Sequence, residues 1–548
     1  MTRLLLFTFT LTAALTLTLT LPAQAATEAD ICIYGGTSAG VIAAVQASKE
    51  GRTVVLVEPG QHLGGMSVEG LGGTDIDNHK EFQNSPAVGG LTLEFYRRIS
   101  ARYHREAKFD AMVQQRSKNS SLWGFEPHVA ESVFDDWVKE SPRITVLRGH
   151  RLKEKDGVTK TGTRITALHF ENGAEVRAKM FIDATYEGDL LAFAGISFTL
   201  GREGNAKYHE TKNGIRTDTR HGQLDKRIDP YTTPGDPTSG IIFSVQDSPL
   251  GQHGTADESI QGFAFRLCLT KNAANRIPME KPPGYDPAHY ELQRRYIAAG
   301  GIISPPGANV PNGKTDPGSW HSLAGNFTGW NHRYPIATYA EREHMLRTSR
   351  DHIQGVYWFM AHDTSVPEAQ RATWASWGRC KDEFTDNDGW PRIFYIRNGR
   401  RMLSDFVLTE AHARKASPEP VTDSVGLIWW PPDLHHARRI IKDGRVWNEG
   451  AVFDESKDPD WLPCGIPYRS LVPRSTECTN LLTPTCPSSS YVAYGAYRIE
   501  FTFMIAAQSS ATAASIALDH QSDIQQVPYS ELKTHLLKSG QILSPPQP

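Results

Sequence analysis

The sequence carries almost no excess charge: 58 lysines and arginines stand against 61 aspartates and glutamates in 548 residues, a formal net charge of −3. Such a balance supplies no basic stripe for a phosphate backbone, which excludes nucleic acid as a partner. Cysteine is scarce too. Six in a chain of this length do not make a disulfide framework. Cys464, Cys478 and Cys486 share one segment, where a bridge between Cys478 and Cys486 is a candidate, and Cys32 sits in an apolar strand pattern as an inert buried thiol. Long apolar runs are missing except at the start, where Arg3, a leucine- and threonine-rich stretch over 4–21 and Ala23-Gln24-Ala25 have the layout of an export signal cut after Ala25. A retained signal anchor is the alternative, weakened by the six threonines between Thr8 and Thr20. No later segment is apolar enough to span a bilayer, so no stable membrane span is expected after signal removal. A twin-arginine pair is also missing, and Asn119-Ser120-Ser121 and Asn326-Phe327-Thr328 are N-glycosylation sequons. Secretion with glycosylation at Asn119 and Asn326 is the resulting expectation.

What is present begins with a complete βαβ unit. Asp30-Ile31-Cys32-Ile33-Tyr34 is a short apolar run, Gly35-Gly36 breaks it, residues 39–47 have helical composition, and 53–58 form a second apolar run. Parallel strands joined by a helix place the glycine turn at the carboxyl edge of a sheet, where nucleotides bind. Amphipathic helices are expected over 91–106 and 127–139, and strands over 143–147, 163–170 and 176–184. Residues 201–317 are rich in Gly, Pro and Asp and read as loops of a second lobe; helix returns over 339 to about 377 and again over 501–519. The organisation expected is a signal over 1–25, a first part of a dinucleotide domain over 27–200, a mixed α+β substrate lobe over 201–465, and a returning segment over 466–543.

Gly35-Gly36-Thr37-Ser38-Ala39-Gly40 is the dinucleotide fingerprint with Thr37 at its second glycine position. Gly35 permits the tight turn, Gly40 lets helix and strand approach, and the helix N-terminus offers free N–H groups to a diphosphate. Thr37 places a β-carbon there, so the diphosphate is expected slightly further out or hydrogen-bonded to a hydroxyl. Glu58, followed by Pro59, ends the second strand 18 residues after Gly40, where an acid accepts both ribose hydroxyls and rejects a 2′-phosphate. The glycine-rich stretch Leu63-Gly64-Gly65-Met66-Ser67-Val68-Glu69-Gly70-Leu71-Gly72-Gly73 lets backbone approach a large flat ligand, which points to FAD as the dinucleotide.

With these residues the sequence resembles the FAD-dependent oxidoreductase family, whose members pair the opening Tyr34-Gly35-Gly36-Thr37-Ser38-Ala39-Gly40-Val41 with His62-Leu63-Gly64-Gly65-Met66. Further similarity runs through Trp123 and its neighbours, Asp183-Ala184-Thr185-Tyr186-Glu187-Gly188-Asp189-Leu190, Ile466-Pro467-Tyr468-Arg469, and the stretch from Phe503 through Gln508-Ser509-Ser510-Ala511. The resemblance implies an α/β fold like glutathione reductase, with a Rossmann-type FAD-binding domain interrupted by a substrate lobe. It also implies that Ala184 and Thr185 approach the flavin nucleotide, that Leu152 lends its backbone to adenine, and that a helix opening near Gln508 and Ser509 faces the flavin pyrimidine.

Catalytic signals are thinner. Asp433-Leu434-His435-His436 follows Trp429-Trp430-Pro431-Pro432; an acid beside two imidazoles suits proton abstraction, with a loop-bracing role for the histidines as the alternative. Adjacent histidines without a third ligand do not make a metal site. Arg397, Arg400 and Arg401 could clamp a carboxylate or pair with Asp405 and Glu410. Asn331-His332-Arg333-Tyr334 forms a further polar group. The function expected is an enzyme oxidising a small organic substrate by hydride transfer to flavin, with oxygen or another acceptor restoring it. A carbohydrate-binding or carbohydrate-degrading protein is the competing class, suggested by twelve tryptophans, with Asp135 and Asp136 as its candidate acids.

Overall fold

The computed structural model describes residues 26–80, 82–317, 323, 325–414, 420–453 and 462–545. The expected signal, 1–25, therefore lies outside the described residues. In chain order the elements that build the site are β1 (Thr27–Tyr34), α1 (Ser38–Lys49), β2 (Val54–Glu58), α2 (Gly90–Arg102), α3 (Pro127–Lys139), β3 (Ile144–Arg148), β4 (Val158–Thr161), β5 (Arg164–His169), β6 (Glu175–Asp183), α4 (Tyr339–His362), β7 (Asp433–Leu434), β8 (Leu481–Leu482) and α5 (Glu500–Asp519).

The main sheet runs β3-β2-β1-β6-β5-β4, with β8 added beside β6. Its β3-β2-β1-β6 part and the β8 pairing are parallel, whereas β5 and β4 pair antiparallel. The parallel strands are covered on both faces, which explains why Ile31, Cys32, Ile33 and Val54, Val55, Leu56, Val57 are continuous apolar runs. α1 packs against α5; Ala43, Ala44 and Ala47 of the one and Ala507, Ser510, Ala511 and Ala514 of the other are all buried, and side chains of this size let two helices pack closely. Among the described residues α5 is the one helix long and apolar enough to cross a membrane, and nearly all of it is buried within the protein. Its burial on every side accounts for the absence of an amphipathic stripe.

Two expected elements differ. The helix expected over 91–106 ends at Arg102 and is followed by a separate helix, Glu106–Gln114. The helix expected over 339–377 stops at His362 and restarts at Glu368–Ala375, because Pro367 restricts the residue before it and cannot donate to a continuing helix.

The candidate Cys478–Cys486 bridge is not formed. The Cys478 thiol lies 3.5 Å from Asn480 Oδ1, whereas Cys486 Sγ lies 3.7 Å from the carbonyl oxygens of Thr185 and Tyr186. The two sequons also part company. Asn119 is exposed, but Asn326 is buried and its Oδ1 accepts from Arg397 Nη1 at 3.3 Å, out of reach of a glycosylating enzyme in the folded chain.

Candidate functional site

The carboxyl ends of β1, β2 and β6 open into a cleft lined by Gly35, Thr37, Glu58, Pro59, Gly65 and Thr185 together with Gln61, His62, Val68, Glu69, Tyr186, Glu187, Arg392 and Ile393. Six residues read from the sequence thus meet in one place. Gly36, Ser38, Ala39, Gly40, Gly64, Met66 and Ala184 form the wall behind them rather than the lining.

The turn is built by close approaches. Gly35 has φ +102° and a Cβ there would lie 2.8 Å from the Ala184 carbonyl carbon; a Cβ on Gly40 would lie 1.9 Å from the Gly35 carbonyl oxygen. Thr37 caps α1: its hydroxyl accepts from the Gly40 amide at 3.2 Å and donates to the Ala184 carbonyl at 2.8 Å. That corrects one expectation, since the Thr37 hydroxyl braces the turn and is committed within the protein. The first-turn amides of Ser38 and Ala39 have no intrahelical acceptor and face the open end of α1, an anion-binding arrangement.

The glycine-rich stretch also differs in its reason. Gly64 pairs as a bridge with Thr37, and its missing side chain makes room for Phe134 and Val68. Gly65 has φ +52° and makes room for the Tyr186 hydroxyl, which accepts from the Met66 amide at 2.8 Å. Protein–protein contact accounts for both glycines, and Gly65 alone of the two lines the cleft.

Glu58 accepts from the amides of Gly36 and Gly60 at 2.8 and 2.6 Å, and burial pushes its carboxyl up to about 7 against those bonds. Burial likewise holds Glu69 and Glu187 at about 7, although Arg392 donates to Glu69 from its amide and from Nη1, at 2.6 and 3.0 Å. His62 bridges Glu131 and Asp386, and the Glu131 carboxylate raises its pKa.

Three expected contacts are not at the cleft. The Leu152 amide donates to the Tyr34 hydroxyl and its carbonyl accepts from the Tyr339 hydroxyl, so its backbone is engaged within the protein. Gln508 and Ser509 lie in the middle of α5, which opens at Glu500. Gln508 accepts from the Leu91 amide and donates to Gln46, and Ser509 donates to the Val425 carbonyl. The residue that opens α5 is, like Glu69, Tyr186 and Arg392, one that sequence reading missed. Glu500 Oε1 accepts from Ser38 Oγ at 2.5 Å and from the Tyr186 hydroxyl at 2.6 Å. An acid ahead of an apolar helix gives no sequence signal beyond an ordinary first-turn charge.

A second polar cluster surrounds β7. The Arg498 guanidinium donates to the Asp433 carbonyl at 2.6 and 3.0 Å and to the Tyr395 hydroxyl at 3.0 Å, Arg266 pairs with Asp316, and Arg397 lies 4.8 Å over the Tyr395 ring. The loop that leaves the cleft at Gly65 reaches this cluster at Asp75, whose carboxyl is pushed up to about 6 by burial and by Asp433. His435 Nε2 is 3.4 Å from Asp433 Oδ1; burial and the positive charge of Arg397 and Arg498 hold its pKa well below the usual value. His436 directs Nε2 at the His221 carbonyl, 2.9 Å away, and burial brings it to about 4. Neither histidine lines the first cleft.

The other arginines have partners different from those expected: Arg400 pairs with Asp189 and Arg401 with Glu203, whereas Asp405 meets Arg474 and Glu410 meets Arg414. Asp135 and Asp136 pair at the surface with Arg148 and Arg102, so they do not form the facing carboxyl pair a glycosidase needs. Among the described residues, one group has metal-ligand spacing, Glu126, His128 and Glu383, and the Lys314 ammonium already sits 2.7 Å from both glutamates.

The cleft fits a flavin dinucleotide by its own chemistry: an acid at the end of β2, an open helix N-terminus beside it, and an orphaned buried carboxyl oxygen on Glu500 behind them. A family model described as FAD dependent oxidoreductase matches residues 30–536. No curated protein matches the sequence. Among solved structures, p-nitrophenol 4-monooxygenase from Pseudomonas putida aligns at 14% identity over 33% of this chain and 46% of its own, with a TM-score of 0.20. L-proline dehydrogenase from P. horikoshii aligns at 13% identity over 33% and 59%, TM-score 0.22. Thioredoxin reductase from T. acidophilum aligns at 16% identity over 33% and 40%, TM-score 0.18. The chain spans roughly half the length of these solved proteins.

Proposed function

The chain belongs to the FAD-dependent oxidoreductase family and uses FAD as its cofactor, and from that membership we propose that it oxidises a small organic substrate, with His435 as the base. When bound, FAD supplies a two-electron acceptor for a hydride from substrate carbon. The chain supplies the rest. Glu58 would hold the adenosine ribose, the Ser38 and Ala39 amides the diphosphate, and the glycine turn the close approach of backbone to cofactor.

The observation that carries the reading is the pairing of His435 with Asp433, whose Oδ1 lies 3.4 Å from Nε2 within the polar cluster around β7. Asp433 orients the ring, and the imidazole is the base. It would take a hydroxyl or amine proton from the substrate as the neighbouring C–H bond gives up hydride, and Asp433 would steady the cation that forms. His436, tied to the His221 carbonyl, fits an orienting part instead. Secretion, glycosylation at Asn119 and reoxidation by molecular oxygen belong to the same proposal and rest on the sequence features alone.

Replacing each histidine by asparagine tests it, with flavin bleaching followed anaerobically across a panel of alcohols, amines and hydroxy acids. H435N is expected to keep its FAD and reduce it roughly two to four orders of magnitude more slowly, the loss typical of a general base; H436N is expected to lose far less. Wild-type reduction rates in H435N overturn the assignment.

A further inference from the structure

Two cysteines far apart in the chain meet in the second lobe. The strands Leu269–Thr270 and Gly378–Cys380 pair antiparallel, with Gly378 opposite Thr270 and Arg379 opposite Leu269. One step further along the same register, Cys380 stands opposite Cys268. Residues opposite one another in an antiparallel pair have Cα atoms about 4.5–5.5 Å apart and side chains on the same face, inside the range of about 4.4–6.8 Å that a disulfide spans. The side chains are in contact: they form a small apolar cluster with Phe384, and the Cys380 thiol is a hydrogen-bond partner of Cys268.

The other four cysteines are placed differently. Cys478 turns to Asn480, Cys486 to the Thr185 and Tyr186 carbonyls, and burial alone acts on Cys32 and Cys464. Cys268 and Cys380 are both thiols here, at 1% and 0% exposure, and the contact between them together with burial holds the Cys268 thiol well above its ordinary pKa. A thiol that does not ionise does not exchange, so the finished fold is closed to an oxidant. Any bond between the two is made earlier, while the strands pair and before Phe384 covers them.

We propose that Cys268 and Cys380 form a structural disulfide, made during folding by exchange with a glutathione or protein disulfide of the export path. In the cell this rests on the secretion proposed above. One cysteine attacks the donor disulfide as its thiolate, releasing a first donor thiol and leaving a mixed disulfide; the thiolate of the other attacks the protein sulfur of that bond and releases the second. The two protein thiols lose two electrons and two protons, and the donor takes up both. The bond closes the long loop from 268 to 380, which restricts the unfolded chain. From Cys380 the chain runs on to Asp386, which binds His62, and to Arg392, which binds Glu69; His62, Glu69 and Arg392 line the cofactor cleft. The staple thus braces the second lobe's side of that cleft.

The test is cell-free synthesis of the full chain with FAD, either in a glutathione buffer with the redox poise of a secretory compartment or in excess dithiothreitol, which separates the bond from the route of export. The folded, FAD-bearing fraction is denatured in an alkylating agent without reductant and mapped by mass spectrometry. The glutathione preparation is expected to yield a peptide linked through Cys268 and Cys380, with the alkyl label on the other four cysteines, and to melt about 3–10 °C above the reduced one. C268A and C380A are expected to show no such gain from glutathione. Label on Cys268 or Cys380 in the glutathione preparation, or a Tm gain retained in C268A, overturns the proposal, and so does folding in dithiothreitol alone. Should the reduced chain not fold, the peptide map of the oxidised one decides. Full chain kept inside the cells that make it overturns secretion and leaves a bond found in the cell-free material standing.

Discussion

Three glycines at the cleft answer to three different neighbours: Gly35 to the Ala184 backbone, Gly40 to the Gly35 carbonyl and Gly65 to the Tyr186 hydroxyl. Gly40 is the least forgiving, because the obstacle 1.9 Å from where its methyl would stand is backbone within the same turn and not the end of a flexible side chain. G40A is expected to push α1 away from β1, to lower stability by at least about 1–3 kcal/mol, and to lose most of its FAD. Thermal unfolding and the ratio of flavin to protein absorbance check both; a G40A protein that purifies yellow at wild-type ratio shows the turn to be more compliant than its geometry. Residue identity also explains what sequence reading captured here. The glycine turn and Glu58 are local, within one βαβ unit, whereas Glu69 is held by Arg392 more than 300 residues away and nothing in the composition of the second lobe marks that arginine.

At the scale of elements, strands and amphipathic helices were legible because their periodicity is strong, and β3, β5 and β6 fall within a residue or two of expectation. The start of α5 was legible as well, expected at 501 and found at Glu500, although Ile499 provides no side-chain cap. What misplaced Gln508 was the resemblance, which put a helix opening there, whereas the residue lies in the helix interior. Its observed work is to clamp α5 to α1 and α2 through Gln46 and the Leu91 amide, with Ser539 completing the set. Q508L therefore strands the Leu91 amide and the Gln46 carbonyl in the interior. A stability loss of about 1–3 kcal/mol per orphaned group is expected, with FAD affinity close to that of wild type; a selective loss of FAD affinity would restore the cofactor contact.

Across the whole molecule, buried ionisable groups set a pH window. Glu58, Glu69, Glu187 and Glu500 are raised from 4.5 to about 7, so their contribution to stability is complete below about pH 4.5 and is lost as pH rises through 7. His352 and His436 are depressed from 6.5 to about 3 and 4; theirs is complete above 6.5 and is lost as pH falls towards those values. Four acids outweigh two histidines, so on these groups the apoprotein is expected to be most stable near about pH 4–5, with a Tm that falls through pH 7 and on to pH 9, as differential scanning fluorimetry would report. A Tm still climbing at pH 9 contradicts the four acids. The bond between Ser38 and Glu500 joins positions 462 residues apart, as does that between Gln46 and Gln508. During synthesis the glycine turn thus emerges early and waits for almost the entire chain before its far wall exists. Closing so long a loop is slow, and it leaves the interval open to misassembly. Cofactor loading then belongs to the last stage of biogenesis, and a nascent chain cut one helix short would carry the whole turn yet lack the wall it closes against.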